Sequence, residues 1–481
     1  MIDAHAELAR AFAARAPASQ IWSLRLVDQW DETLSVRQGI PVPPRVAASR
    51  GALVRVVDAD GVGYAATGDL SVAGLLEAAR RARGWAKATA GRQVAPSRLI
   101  PRPDTRGRYE TPCAEPWEDL ATGDKLALLQ GACAALKVHD AVVDWEAWLG
   151  YRRTDVLLTS SDGAWIEQRF HDTEPGLAAV AHRGALTQRR TGCAARGGRR
   201  GGLEQLGPLG FPAEAARVGE EAVALLDARP CPAGAMDLVL LPGQMALQVH
   251  ESIGHPLELD RILGDERNYA GTSFVTPEMF GSFRYGSDLL NVTFDPGVPG
   301  ELAGYGFDDE GTPAERVHLI RDGILERPLG GALSQARAGL PGTANARASD
   351  WYRPPIDRMA NLNLEPGDSG LAELIGAVER GVLMDSNRSW SIDDSRNKFQ
   401  FGCEIGWLIE DGELGAMVRT PNYRGVSSSF WRSLDGVGDA GTLNVEGVNS
   451  CGKGEPNQLV RVGHAVPACL FRGVDVFGEG D

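Results

Sequence analysis

His250, Glu251 and His255 stand within six residues of one another, with Gly254 before the second histidine and Pro256 after it. This spacing constrains the backbone more tightly than any other feature of the chain. On a regular helix, residues five apart point about 140° away from each other, whereas residues four apart differ by only about 40°. If the two imidazoles act together, the segment cannot be an ordinary helix. One added residue calls for a π-turn or local unwinding, a distortion that recurs at functional sites. Gly254 is expected to supply the bend, and Pro256 disfavours the α conformation for His255.

The residue types suit a metal. Neutral imidazole is the commonest metal ligand, and a glutamate beside it can serve as a general base. With eight histidines in 481 residues, this pattern arises by chance about once per hundred such chains. A catalytic zinc takes three protein ligands and keeps one position open. Two residues compete for third place. Glu258 lies three residues beyond His255. Cys451 lies in the glycine-rich Asn449-Ser450-Cys451-Gly452-Lys453-Gly454, where Lys453 and backbone amides would favour a thiolate. The residues alone lean to Glu258. His464, near the cysteine, is expected to be a satisfied structural histidine.

Around this segment the chain reads as α+β. An N-terminal region of hairpins and helices, residues 1–228, precedes a β-rich C-terminal domain, residues 229–481, that carries the metal site. Met1 to Gln20 reads as an amphipathic helix. Strands flank the turn Asp58-Ala59-Asp60-Gly61 and a helix starts from a Ser71 cap. Residues 84–118 read as a connector, followed by a helix at 125–138, strands around Ser160-Ser161-Asp162-Gly163 and a helix at 213–228. Beyond the boundary come a buried strand at 236–243, a helix at 371–380, a hairpin at 399–419 and terminal strands at 460–477. The basic run from Arg189 through Arg196 to Arg200 is expected to be a mobile solvated loop, or else a local anion contact.

A formal charge of -15 argues against a nucleic-acid partner. Seven scattered cysteines without a CxxC pair argue against a disulfide framework, and no apolar stretch reaches about 18 residues. A cytoplasmic protein with no membrane partner is the expectation.

Taken together, His250-Glu251-x-x-Gly254-His255-x-x-Glu258, Asp308-Asp309-Glu310-Gly311-Thr312-Pro313 and Cys451-Gly452-Lys453 resemble the TldD/PmbA family, in its TldD-like branch. The similarity extends to residues 49–88 and to Leu364-Glu365-Pro366-Gly367. The resemblance implies a two-domain α+β zinc peptidase acting on extended or unfolded peptides. Zn2+ would be held by His250, His255 and Cys451, with Glu251 as the base. Glu258 then moves behind the ligands, where it could orient a histidine. The resemblance also implies a homodimer, or a heterodimer with a metal-free PmbA-like paralogue. A non-catalytic peptide-binding or assembly subunit is the alternative, and a hydrolase of non-peptide amides a further one. Residues 259–271, longer and more polar than the family pattern, could reshape the substrate entrance.

Overall fold

A computed structural model describes residues 2–193 and 197–478. The chain is α+β, with strands dominating its second half. Its first half is organised by one long-stranded sheet. Strands β1 (Ile21–Arg37), β2 (Ile40–Asp58), β3 (Gly61–Thr67), β4 (Arg106–Glu110), β5 (Val142–Ser160) and β6 (Trp165–Arg183) lie in the order β3-β2-β1-β5-β6-β4. β7 (Leu186–Gly192) and the short Arg199–Arg200 pair with β6.

Alternation along β1 gives this sheet two faces. Leu24 and Leu26, with Val54 and Val56 of β2, pack under the helices Ile2–Ala13 and Val72–Thr89. The second helix starts at Ser71, whose side chain accepts from the Gly74 amide, and presses so closely on β3 that a Cβ at Gly63 would lie 2.0 Å from the Ala82 carbonyl. Farther along, Leu34 and Val36 pack with Leu129 and Leu136 of the helix Thr122–Leu136. The opposite face carries Arg25 and Arg55. These buried cations meet Asp309 at 3.4 Å and Glu310 at 3.1 Å from the second half of the chain.

Three local expectations change. Residues 84–118 are not merely a connector, since the second helix runs to Thr89 and β4 adds a parallel strand beside β6. The helix expected over 371–380 stops at Gly376, and Arg380 already begins a strand. The basic run is not a solvated loop. Arg190, on β7, is 2% exposed and reaches Glu221 at 2.7 Å, Glu404 at 3.0 Å and Asp385 at 3.4 Å. Strand alternation turned this guanidinium inward, and three carboxylates compensate its burial. Arg200 is also buried, whereas Arg196 lies outside the described residues.

In the second half, strands Arg380–Ile392, Gly234–Leu240, Cys469–Phe477, Asn422–Val426 and Lys398–Glu410 pair in that order. The last also pairs with the first, so the five close into a ring. The largest apolar core fills this region. A separate hairpin, Asn444–Lys453 with Gln458–Val466, stands beside the ring. The helix Pro242–Val249 leaves the ring strand Gly234–Leu240 and runs against this hairpin, bringing His250 and Cys451 into one interior. No helix among the described residues is long and apolar enough to cross a membrane.

Candidate metal centre

Helix Pro242–Val249 begins with proline at its first position, where the missing amide hydrogen costs nothing. It widens into a π-turn over His250–Gly254, closed by the His255 amide donating to the His250 carbonyl, and tightens again over His255–Leu257. The extra residue rotates His255 back to the side of His250. Their rings stand edge to face, 4.9 Å between centroids.

The cause of the bend differs from the sequence expectation. Gly254 has ordinary right-handed angles (φ -58°, ψ -63°), and His255 stays helical although Pro256 follows it. Glycine is needed at 254 for space, because a Cβ there would lie 2.4 Å from both Sδ and Cε of Met359.

Hydrogen bonds fix which nitrogen each histidine presents. Nδ1 of His464 lies 2.9 Å from the Leu362 carbonyl, which can only accept, so His464 carries its proton there. Its Nε2 is then an acceptor, and it lies 2.9 Å from Nδ1 of His250. His250 therefore donates through Nδ1 and keeps a lone pair on Nε2. Burial pushes His464 down to about 3, which keeps this ring neutral. On His255 the engaged nitrogen is again Nδ1, which faces Oε2 of Glu258 at 3.0 Å. Its Nε2 points to Sγ of Cys451, 3.7 Å away.

Burial alone would raise Glu258, but Lys453, His255 and Arg261 outweigh it and hold this carboxylate well below its usual range. Oε1 of Glu258 accepts from the Met359 amide and Oε2 from Arg261. The residue is fully buried, with its lone pairs committed to protein donors.

Cys451 differs from its counterparts elsewhere. Burial pushes the thiols of Cys133, Cys193, Cys231 and Cys469 upward. At Cys451 burial acts the same way, but His255 and the Arg358 guanidinium outweigh it and lower the thiol. Arg358, fully buried, also donates to the Cys451 and Gln458 carbonyls, pinning both strands of the hairpin.

One donor atom each from His250, His255 and Cys451 lies within 4.8 Å of the others, and all three residues are buried. Two imidazoles whose Nδ1 atoms are already engaged join one thiol shifted toward thiolate. Such a donor set fits a borderline-soft cation that keeps a fourth position open. Glu251 adjoins this group, 6% exposed, with Oε2 held by Nη1 of Arg396 at 3.1 Å.

Two residues here take roles that the sequence reading did not give them. His464, expected to be only structural, touches His250. Period-two alternation from Val460 through Val462 places it on the face of the hairpin that looks toward the histidines. Arg396 sits in the turn between two ring strands with a left-handed φ of 61°, and no local pattern marks it. If His464 fixes the His250 tautomer, His464→Phe is expected to weaken metal binding about 10–100-fold. His464→Gln, whose amide can accept from His250 and donate to Leu362, should recover most of it. Competition against a chromogenic chelator measures both.

Known proteins resemble this chain in sequence and in fold. Residues 233–478 match the family model described as the PmbA/TldA metallopeptidase C-terminal domain, and residues 22–86 match domain 1 of the same family. A protein of Methanothermobacter thermautotrophicus named metalloprotease is 30% identical over 370 residues, covering 76% of each chain. The metalloprotease TldD homolog of Haemophilus influenzae is 26% identical, across 93% of this chain and 91% of its own. Among solved structures, a Thermotoga maritima protein described as a modulator of a DNA gyrase superposes with a TM-score of 0.78 at 18% identity, covering 98% of this chain and all of its own. TldE of Thermococcus kodakarensis gives 0.74 at 17% identity, covering 99% of this chain and 100% of its own. The two structures share the fold, and the sequence matches carry the kinship: this chain belongs to the TldD/PmbA family.

Proposed function

We propose that the protein is a zinc-dependent peptidase that hydrolyses extended or unfolded peptides. The observation that carries this reading is the buried convergence of His250, His255 and Cys451, with buried Glu251 next to His250 in the same π-turn. The metalloprotease names of the relatives support it. Bound there, the metal would polarise a peptide carbonyl and acidify water.

The chain's own residues divide the remaining work. His250 and His255 offer Nε2, with their Nδ1 protons held by His464 and Glu258. Cys451 contributes the anionic donor. Glu251 accepts a proton from the attacking water and returns it to the departing amine, so one carboxylate serves as base and then acid. Arg396 keeps Oε2 of Glu251 in place, leaving the second oxygen to take the proton. An extended peptide would bind by strand addition, through backbone hydrogen bonds with little side-chain selectivity. The same proposal takes the active unit as a dimer, of two copies or with a metal-free paralogue, in the cytoplasm.

The test is metal removal. Purified protein incubated with an unfolded protein substrate should release peptides. Dialysis against a chelator should stop cleavage, and one equivalent of zinc per chain should restore it. Cleavage that survives complete metal removal would overturn the reading, as would an inert zinc-loaded protein.

A further inference from the structure

A cavity of about 620 Å³ lies between β1, β5 and β6 on one side and the Asn444–Val466 hairpin on the other. Gln458 to Arg461 of the hairpin line it, and the same strand continues to His464, which points to His250. Asn449 and Ser450, next to Cys451, form part of its rim, so the cavity and the metal centre meet at one turn of one strand.

The wall is unusual for an acidic chain. Six arginines and four aspartates line it, with no lysine, glutamate or histidine. Four of these arginines already face carboxylates. Arg25 faces Asp309, Arg152 faces Asp31, Arg200 faces Asp172, and Arg461 faces both Asp172 and Glu174. Arg347 and Arg353 differ, since among the described residues no carboxylate comes within ion-pair distance of either. Arg347 donates to the Met359 carbonyl and lies over the Tyr305 ring, 5.6 Å from its centre. Arg353 lies over Tyr352 at 5.4 Å. Both are half-buried, and each stacked guanidinium keeps donors for a further partner.

Nearby acids do not make up the deficit. Asp309 belongs to Arg25, Asp350 accepts from the Ser349 hydroxyl without reaching either guanidinium, and Asp308 is pushed up to about 8 by burial and by Glu310, although three backbone amides donate to it. A half-buried guanidinium without a counter-ion keeps its planar fork of donors available to a carboxylate. Phe170, Phe307 and Leu459 add apolar surface, which suits a peptide segment, while the wall's own aspartates disfavour a polyanion.

The geometry points to this cavity as a carboxylate-binding subsite in which Arg347 and Arg353 hold an acidic group of an extended peptide. The inference rests on the peptidase reading and adds a preference that backbone strand pairing alone would not have. Two sources offer the same carboxylate: an acidic side chain, or the free C-terminus of the peptide.

The experiment uses the full-length Glu251→Gln protein and four fluorescein-labelled decapeptides of one unfolded sequence. They carry either Glu or Gln at a central position and end in either a free acid or an amide. Fluorescence anisotropy should show at least one carboxylate strengthening binding about fivefold, the weight of one partly exposed ion pair. Loss on Glu→Gln identifies the side chain as the source, and loss on amidation the C-terminus. Arg353→Gln should erase the difference while leaving the neutral peptide's affinity unchanged. Arg347→Gln should do the same, and Arg353, which lacks the hydrogen bond that ties Arg347 to Met359, keeps the test sound if the Arg347 variant misfolds. Equal affinity for all four peptides overturns the subsite, as does a carboxylate preference that survives Arg353→Gln. Binding needs no turnover, so failure of the subsite is separate from failure of the peptidase reading, which wild-type cleavage reports.

Discussion

Glu251→Gln is expected to lower peptide cleavage about 10²–10⁴-fold, the range that a positioned general acid–base group contributes. The substitution keeps size and shape. The amide oxygen can still accept from Arg396, which lies 3.1 Å from Oε2 in the native site. Nothing in the donor set of His250, His255 and Cys451 is altered, so metal content should stay at the wild-type level. What the amide cannot do is take a proton from water. The loss should therefore fall on kcat, with KM changed little, because binding by backbone pairing does not involve this carboxylate. Wild-type and variant proteins, loaded with equal zinc and assayed on the same unfolded substrate, give the comparison. Equal rates would remove Glu251 from the mechanism. A loss of zinc together with activity would show that the carboxylate supports the metal and would leave its role in proton transfer unsupported.

The parts of this architecture legible in the sequence are those whose cause is local. Period-two alternation around Ala59-Asp60 and Ser160-Ser161 announced the hairpins, and Ser71 announced its helix, because turn chemistry and capping act over a few residues. The histidine spacing announced the wide turn, since residues five apart cannot share a helix face otherwise. Its reason was not legible. Gly254 faces Met359, more than a hundred residues on, and no local rule contains that contact. The same holds for the basic run. Arg190 reads as a solvated charge until Asp385 and Glu404 arrive from the far half of the chain to compensate it. Cys451, 196 residues from His255, was one of two candidates on local grounds, and only the family resemblance moved it ahead of the nearer Glu258. Arg396 belongs with these: it is an ordinary turn residue until the fold sets it against Glu251.

Cys451→Ser and Glu258→Gln together decide which residue completes the metal site. Serine keeps the volume, but its hydroxyl stays protonated at neutral pH, whereas the Cys451 thiol is already lowered by His255 and Arg358. The serine variant should retain less than about 0.1 zinc per chain after dialysis, against about one for the wild type, because two neutral imidazoles alone hold zinc weakly. Glu258→Gln removes a charge but preserves an acceptor for Nδ1 of His255, 3.0 Å away. It should keep its zinc at high protein concentration, with affinity reduced about 10–100-fold, as for other groups that orient a ligand. Metal content by atomic emission, with near-ultraviolet circular dichroism as a control on folding, distinguishes the two. The control matters because Glu258 also neutralises Arg261 and Lys453, both fully buried. Their charges would be left partly uncompensated, so this variant should also be the less stable of the pair. Should folded Glu258→Gln protein lose zinc while Cys451→Ser keeps it, the ligand assignment reverses. Cys451 would then be a buried thiol whose lowered proton affinity merely reflects its cationic neighbours. The predicted order follows from charge. A thiolate facing His255 supplies the anion the metal needs, and a carboxylate already shared among one imidazole, one guanidinium and one ammonium has none left to give.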